Sequence, residues 1–287
     1  MGAADVVPGV SGGTMAFILG IYEELLESIR SFDLQFLKLL SRFQIKEALN
    51  HTSWRFLTAL FFGIFLAIFS LAKILSWLLH NHPVLIWSFF FGLILASVYT
   101  VGRQLQKWTL PVSAWMLLGT VGSWFLVGIV PINTPESPWF IFMSGAIAIC
   151  AMILPGISGS FILVLLGKYA YLLEAVNRRD FIPLILAAAG ACLGLITFVR
   201  FLNWLLKRYR DPTLAVLTGF MLGALRKVWP WKKTLDTMID SHGNVHIISE
   251  ANILPPHWNQ EVTLALCLTI IGFLVVFLLN FRASRKS

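Results

Sequence analysis

Hydrophobic residues of this chain form long runs that are separated by short polar segments. Six runs contain at most one charged residue each, and they cover residues 56–79, 85–101, 112–130, 181–206, 213–225 and 262–281. About 20 mostly apolar residues in a helix span the hydrocarbon core of a bilayer. The pattern therefore predicts six transmembrane helices, of which the run at 213–225 extends into its flanks to reach that length.

Composition supports the same class of protein. Hydrophobic residues make up 57% of the 287 residues and charged residues only 13%, whereas a soluble domain carries about 25% charged residues. We therefore predict an all-α, polytopic membrane protein. The net charge of +8 comes from Lys and Arg in short segments beside the runs, which indicates membrane orientation. We expect no nucleic-acid partner.

Two segments combine strong hydrophobicity with residues that interrupt helices. They read VVPGVSGGTMAFILGIY at 6–22 and ILPGISGSFILVLLGKY at 153–169. Proline removes a hydrogen-bond donor and disfavours helix in the residue before it, while glycine adopts conformations closed to other residues. Each segment is thus predicted to end one helix and start another near residues 13–14 or 160–161. The candidate helix caps are Ser11, Thr14, Ser158 and Ser160.

The two segments belong to an internal repeat. Residues 8–29 and 155–176 share ten identities over 22 positions, including Pro, Gly, Ser, Tyr and Glu in register. A second likeness pairs LAKILSWLL at 71–79 with FVRFLNWLL at 198–206, and so matches Lys73 with Arg200. Each half of the chain is therefore predicted to contain an interrupted helical element followed by three membrane spans.

The repeat sets the predicted domain organisation. The N-terminal repeat covers 1–135, with a re-entrant element at 1–29, and the C-terminal repeat covers 139–287, with a re-entrant element at 139–176. An odd number of spans per half makes the two repeats inverted relative to each other. Because the first motif starts almost at Met1, its leading arm is expected either to be short or to begin upstream of Met1.

Basic residues predict the orientation of the spans. The segments 30–55, 102–108, 207–210 and 282–286 are rich in Lys and Arg and are assigned to the cytoplasmic side. The turn at 80–83 and the linker at 131–138 lack Lys and Arg and are assigned to the outer side. The same assignment places Arg178, Arg179 and the loop at 226–261 on the outer side, although Lys and Arg are generally enriched on the cytoplasmic side.

The breaks suggest a binding site. Interrupted backbone at membrane depth is tolerated only where it is buried in protein or lines a wet cavity. Helix N-termini favour anions, and inverted repeats with discontinuous helices are typical of secondary transporters. We expect the two breaks to meet and to hold one anionic group. In the alternative interpretation, the small residues only permit close helix packing.

Three charged residues near these elements carry further hypotheses. Lys73 and Arg200 lie near the ends of matched spans, where such cations commonly extend to the membrane interface. Alternatively, each acts as a gate cation that receives a phosphate at one side of the membrane. Asp5 precedes the first break and is a candidate either for capping a helix or for carrying a proton.

The motifs DVVPGVSGGTMAFILGIYEELL and ILPGISGSFILVLLGKY resemble the bacterial polyprenyl-phosphate transporter family, formerly a domain of unknown function. The resemblance implies a flippase that moves undecaprenyl phosphate across the bacterial cytoplasmic (inner) membrane, where the lipid carrier is recycled for cell-wall synthesis. It also implies polyprenyl-phosphate and membrane lipids as partners. The family's motif maps onto Asp5, Pro8, Gly9, Ser11, Gly12, Gly13 and Thr14, and its second copy onto Pro155, Gly156, Ser158, Gly159 and Ser160.

Other classes of function compete with this interpretation. An anion channel or antiporter would use the same helix ends, and a scaffold would need no site at all. A membrane phosphatase would need a nucleophile and an acid–base pair, but the predicted spans contain no His. The residues Cys150, Cys192 and Cys267 lack metal-ligand spacing and are expected to be packed thiols. We predict no catalytic residues, cofactor or metal. The sequence does not indicate an oligomeric state.

Overall fold

A computed structural model describes residues 1–2, 12–129, 134–239, 245–255 and 257–284 of the chain. Thirteen helices and one strand pair lie within these residues. The elements are α1 (Gly12–Ile18), α2 (Tyr22–Arg30), α3 (Leu34–Ser41), α4 (Ile45–His51), α5 (Trp54–Asn81), α6 (Pro83–Gly102), α7 (Leu110–Gly128), α8 (Pro138–Ile153), α9 (Gly159–Leu165), α10 (Tyr169–Arg178), α11 (Phe181–Arg208), α12 (Arg210–Val228), β1 (Lys232–Ile239), β2 (Val245–Asn252) and α13 (Gln260–Ser284).

Long helices occupy all six predicted apolar runs. Five of them, α5, α6, α7, α11 and α13, are long and apolar enough to cross a membrane. The sixth, α12, carries charged residues in its first and last turns, and its middle is buried among the other helices. The short helices α9 and α10 are also apolar together, but they meet at an angle of 98°. The prediction of a mostly helical, multi-pass membrane protein is therefore confirmed.

The second Pro-Gly segment interrupts the chain between α8 and α9. Helix α8 ends at Ile153, Leu154 has extended backbone angles, and α9 begins at Gly159, one residue before the predicted start. An added Cβ on Gly159 would lie 2.7 Å from the carbonyl oxygen of Ala148. Helix α9 therefore packs back onto the last turns of α8, and Gly159 allows this close approach.

Matched residues of the two repeats adopt the same local structure. Gly20 and Gly167 have φ angles of 69° and 65°. The Gly20 amide donates to the Phe17 carbonyl, as the Gly167 amide donates to the Val164 carbonyl. Glycine at this position ends a helix in the left-handed conformation without a steric penalty. The short helices α1 and α9 therefore end in equivalent turns.

Spans of one repeat pack against spans of the other. Helix α6 crosses α13 where an added Cβ on Gly92 would lie 2.0 Å from the Thr269 carbonyl oxygen. Helix α12 crosses α7 at the matched glycine, since a Cβ on Gly219 would lie 2.2 Å from the Met116 carbonyl oxygen. Small residues at such crossings let two membrane helices approach closely. The two crossings use equivalent positions in the two halves.

Helices α6 and α12 are antiparallel. The chain after α6 meets the first turn of α12, where the amides of Gln106 and Lys107 donate to the Asp211 carboxylate. Near the other end, the rings of Phe91 and Trp229 are 5.5 Å apart in an edge-on contact. The end of α6 thus lies beside the start of α12.

The antiparallel arrangement defines two faces of the bundle. At one face, which we call the α2 face, Glu27 of α2 pairs with Lys207 and Glu23 with Arg210 at the α11–α12 turn. At the opposite face, the hairpin face, the Lys232 ammonium of β1 lies 4.8 Å from the centre of the Trp87 ring, near the start of α6.

Three details differ from the sequence analysis. The segment predicted as a loop at 226–261 contains the antiparallel hairpin β1–β2. Helix α5 continues through His80, so one His does lie in a long helix. Cys192 and Cys267 are exposed rather than packed, because they lie on surfaces of α11 and α13 that no described residue covers.

Candidate functional site

A hydrogen bond joins the two predicted breaks. The backbone amide of Gly156, in the second break, donates to the side-chain hydroxyl of Thr14, in the first turns of α1, over 2.9 Å. Thr14 is 1% exposed, and Gly156 is buried with a φ of +89°. Only glycine adopts this φ without strain. Thr14, predicted as a helix cap, instead bonds the other repeat.

A second bond ties the same segments together. The Tyr22 hydroxyl at the start of α2 donates to the carbonyl oxygen of Ile153, the last residue of α8, over 3.1 Å. This carbonyl belongs to the helix end that the Pro-Gly break leaves without an intrahelical partner. The side chains of the first repeat thus satisfy backbone groups of the second, as membrane burial requires.

The junction lies deep in the bundle. An added Cβ on Gly156 would lie 3.0 Å from the Phe220 carbonyl oxygen and 3.1 Å from the Met221 Cα atom. These α12 residues lie ten or more residues from the helix start, which corresponds to about 15 Å along the axis. The contact therefore falls near the middle of α12, which has 19 residues.

Two hydroxyl groups beside the junction are accessible. The Ser158 and Ser160 hydroxyl oxygens are 2.8 Å apart, and Ser160 is exposed while Ser158 is half-buried. Ser158 occupies the N-cap position of α9 with extended backbone, but its side chain does not cap the helix. Each hydroxyl can both donate and accept hydrogen bonds, so the pair can bind a polar ligand.

The remaining predicted residues of the motifs fall into two groups. Gly12 and Gly13 are buried at the start of α1, and Pro155 and Gly159 are buried in and after the second break. Asp5, Pro8, Gly9 and Ser11 lie outside the described residues. Of the residues predicted to hold the anion, the structure brings Thr14 together with Gly156.

The two predicted gate cations have different surroundings. Lys73 is exposed on α5, and Arg200 is exposed on α11. Arg200 lines a cavity of about 440 Å³ at the α2 face together with Arg30, Asp33, Asn203, Trp204 and Lys207. Apart from Arg200, the sequence analysis missed this group as a site. The spacing of residues 200, 203, 204 and 207 along one side of a helix is the signal that would have identified it.

Lys168 is a further residue that the sequence analysis missed. It lies in the turn between α9 and α10, and it is 1% exposed. Its ammonium donates to the Thr134 carbonyl oxygen over 2.7 Å and lies 5.7 Å from the Tyr171 ring centre. The Thr134 hydroxyl in turn donates to the carbonyl of Leu166. Lys168 therefore holds the linker between the repeats, through Thr134, against the turn between α9 and α10.

The family of the chain follows from comparison with known proteins. Residues 1–246 match the family VCA0040-like, described as undecaprenyl phosphate translocase-like. The chain belongs to this family. The prediction of a polyprenyl-phosphate transporter family, made from the two motifs, is thereby confirmed.

Two relatives have names that state a transport function. A polyprenyl-phosphate transporter of Vibrio cholerae is 49% identical over 255 residues, which cover 89% of this chain and 83% of the relative. A polyprenyl-phosphate transporter of Staphylococcus aureus is 32% identical over 250 residues, which cover 80% of this chain and 83% of the relative. No solved structure matches the chain.

These names also bear on the enzyme hypothesis. The family and both relatives are named for transport rather than for catalysis, which confirms the prediction that the chain is not an enzyme. Among the residues that the structure describes, no group of three His, Cys, Asp or Glu side chains is placed to hold a metal ion.

Proposed function

We propose that the chain transports undecaprenyl phosphate, a polyprenyl-phosphate lipid, across the bacterial cytoplasmic membrane for reuse in envelope synthesis. The observation that carries the proposal is the hydrogen bond from the Gly156 amide to the Thr14 hydroxyl. It brings the two family motifs together deep in the bundle. The names of the family and of both relatives supply the class of substrate.

The phosphate headgroup binds beside this junction. The Ser158 and Ser160 hydroxyls offer hydrogen-bond donors to phosphate oxygens at a depth where the surrounding helices are apolar. Pro155 and Gly159 shape the second break beside it. We also expect the residues of the first motif to contribute to the site, namely Pro8, Gly9, Ser11, Gly12 and Gly13. The prenyl chain remains in the bilayer while the headgroup crosses, so the site needs a lateral opening toward lipid rather than a closed channel.

The two repeats form an inverted pair, each with a re-entrant broken-helix hairpin and three spans. The equivalent turns at Gly20 and Gly167 and the matched crossings at Gly92 and Gly219 support the repeat. The antiparallel course of α6 and α12 supports the inversion. Inverted repeats allow the site to open alternately to either side by related movements.

The α2 face is the cytoplasmic face in this proposal. It carries the basic segments 30–55 and 207–210, and cytoplasmic segments of bacterial membrane proteins are enriched in Lys and Arg. The hairpin β1–β2 then lies on the outer side with the linker at 131–138. Because an ionised headgroup crosses the membrane, the membrane potential contributes about 2.3 kcal/mol per charge per 100 mV.

Binding to the purified chain tests the proposal. We expect radiolabelled undecaprenyl phosphate to bind the wild type, and the unphosphorylated polyprenol to bind much less. The double substitution Ser158→Ala with Ser160→Ala should weaken binding about tenfold, because two hydrogen bonds to a charged group are lost. An anion channel predicts instead an electrogenic chloride flux in vesicles without any lipid phosphate, and that result would overturn the proposal.

A further inference from the structure

The cavity at the α2 face lies between two elements of different repeats. Arg30 and Asp33 come from the end of α2 and the connection that follows it. Arg200, Asn203, Trp204 and Lys207 form one stripe along the last two turns of α11, since residues three and four apart share a helix face. The cavity has a volume of about 440 Å³, which is ample for a phosphate group.

Positive charge dominates this cavity. Arg30, Arg200 and Lys207 face a single carboxylate, that of Asp33. This carboxylate is already engaged, since it accepts the Phe36 amide over 2.9 Å and lies 3.2 Å from the His51 Nε2 atom. Lys207 also pairs with Glu27 at 3.4 Å, with both side chains 60% exposed. Such exposed pairs contribute little, so the Lys207 ammonium remains available to an anion.

Asn203 adds an unusual polar group. The residue is 5% exposed, and among the described residues its side-chain Oδ1 atom has no hydrogen-bond partner. An unpartnered buried amide group is costly, which indicates that the side chain serves a ligand. A carboxamide can donate to a phosphate oxygen or accept from a protonated one. A phosphomonoester presents both kinds of group near neutral pH, because its second pKa is about 6.

The surface beside the cavity suits a lipid rather than free phosphate. The rings of Phe201 and Trp204 are stacked with centres 6.2 Å apart, and both side chains are more than half exposed. They form an apolar strip on the outside of α11, next to the cationic groups. A prenyl chain on this strip would stay in the bilayer while its phosphate enters the cavity.

We propose that this cavity is a docking site for the phosphomonoester headgroup of a prenyl lipid at the α2 face, separate from the junction of the two breaks. The inference rests on the proposed function and adds to it a headgroup-binding step at the cytoplasmic face. At the matched positions of the other repeat, Asn177 corresponds to Arg30 and His80 to Lys207, so two of the three cations have no matching Lys or Arg there. The two faces of the transporter therefore differ in affinity for the headgroup.

Photo-crosslinking of the full-length protein in detergent tests this site. The probe is a prenyl phosphate that carries a diazirine next to the phosphate, and labelled peptides are mapped by mass spectrometry. We expect label in the peptides around residues 30 and 200–207. The double variant Arg200→Gln with Lys207→Gln should reduce this label about tenfold, because two charge-assisted hydrogen bonds are lost. Arg200→Lys should retain more label than Arg200→Gln.

A matched control separates the site from general basicity. Arg208→Gln removes the same charge from the neighbouring residue, which is exposed and does not line the cavity, and should leave labelling within about twofold. Excess undecaprenyl phosphate should block the label. An equal block by phosphatidylglycerol would reveal a general anionic-lipid contact, and a block by inorganic phosphate alone would indicate a free-phosphate site. Either result would overturn the proposal.

The docking site and the proposed transport function can fail independently of each other. Transport of undecaprenyl phosphate by the wild type without label at the cavity would refute the docking site and leave the transporter intact. Label at the cavity, lost in the double variant, without any transport would support the docking site and refute the transport function.

Discussion

Thr14 and Gly156 are 142 residues apart in the chain, yet the hydroxyl of one accepts the backbone amide of the other over 2.9 Å. The bond holds α1, which follows the first predicted break, against the second break deep in the bundle. A glycine with a positive φ is needed on one side, and a small hydroxyl side chain on the other. The relationship shows how two motifs of a membrane protein can act together: Thr14 and Tyr22 of the first repeat satisfy backbone groups that the second break exposes.

Removal of the Thr14 hydroxyl should destabilise the junction. Thr14→Val keeps the shape of the side chain but leaves the Gly156 amide buried without an acceptor, which costs about 1–3 kcal/mol. We expect a lower unfolding temperature in detergent together with slower lipid-phosphate transport. Thr14→Ser keeps the hydroxyl and should remain near the wild type in both measurements. Equal behaviour of the Val and Ser variants would show that the bond is not important.

A larger side chain at Gly159 should separate α9 from α8. The Cβ of Gly159→Val would start 2.7 Å from the Ala148 carbonyl oxygen, so the two helices must move apart. We expect normal membrane insertion, because the apolar spans are unchanged, but loss of transport. Gly122→Ala is the matched control, since an added Cβ there meets nothing within 4 Å. Full transport by the Gly159→Val variant would contradict the importance of the tight hairpin.

The two matched helix crossings should respond alike to substitution. Gly92→Ala and Gly219→Ala each place a Cβ within about 2 Å of a backbone oxygen on the partner helix, and overpacking of this kind costs about 1–3 kcal/mol. We expect similar decreases in unfolding temperature for both variants, again measured against Gly122→Ala. A large decrease for one variant and none for the other would argue against equivalent roles in the two repeats.

The stability of α3 should depend on acid pH. Asp33 caps α3 by accepting the Phe36 amide, and this bond, aided by His51, holds the pKa of the Asp33 carboxyl below 3.8. A carboxyl whose pKa is lowered by folding stabilises the folded state at pH values above its unfolded-state pKa. This contribution is lost as the pH falls through the folded-state pKa. Hydrogen exchange at the Phe36 amide measures the effect.

Variants at Asp33 separate the cap from the charge. Asp33→Ala should raise Phe36 exchange about fivefold at neutral pH, and its difference from the wild type should shrink below pH 3.8. Asp33→Asn keeps a side chain that caps well and should show a weaker pH dependence. A pH-independent difference between wild type and Asp33→Ala would contradict a role for the ionised carboxylate.

The sequence was sufficient to predict the long helices and the second break. Apolar runs between polar turns mark α5, α6, α7, α11, α12 and α13 because the bilayer imposes both length and hydrophobicity. Pro155 and Gly156 mark the break because their backbone limits act locally. The hairpin β1–β2 was missed, because its strand sequences KKTLDTMI and VHIISEAN do not alternate regularly between apolar and polar residues.

The contacts between distant segments were beyond sequence reasoning. The bond between Thr14 and Gly156 depends on how two short helices pack, and neither motif alone specifies its partner. In the sequence, Arg30 and Lys207 are ordinary basic residues at the ends of helices. Only the fold brings them together with Arg200. Lys168 contacts the linker between the repeats only in the folded chain. Its role in holding the linker is therefore visible from its burial and not from the sequence.

Transport in reconstituted vesicles tests the central claim most directly. Purified wild type and the Ser158→Ala, Ser160→Ala variant are placed in vesicles that contain labelled undecaprenyl phosphate, and its movement between leaflets is followed over time. The account predicts rapid movement with the wild type and about tenfold slower movement with the variant. Movement at the same rate with both proteins, or no faster than in vesicles without protein, would contradict a phosphate site beside the junction of the two breaks.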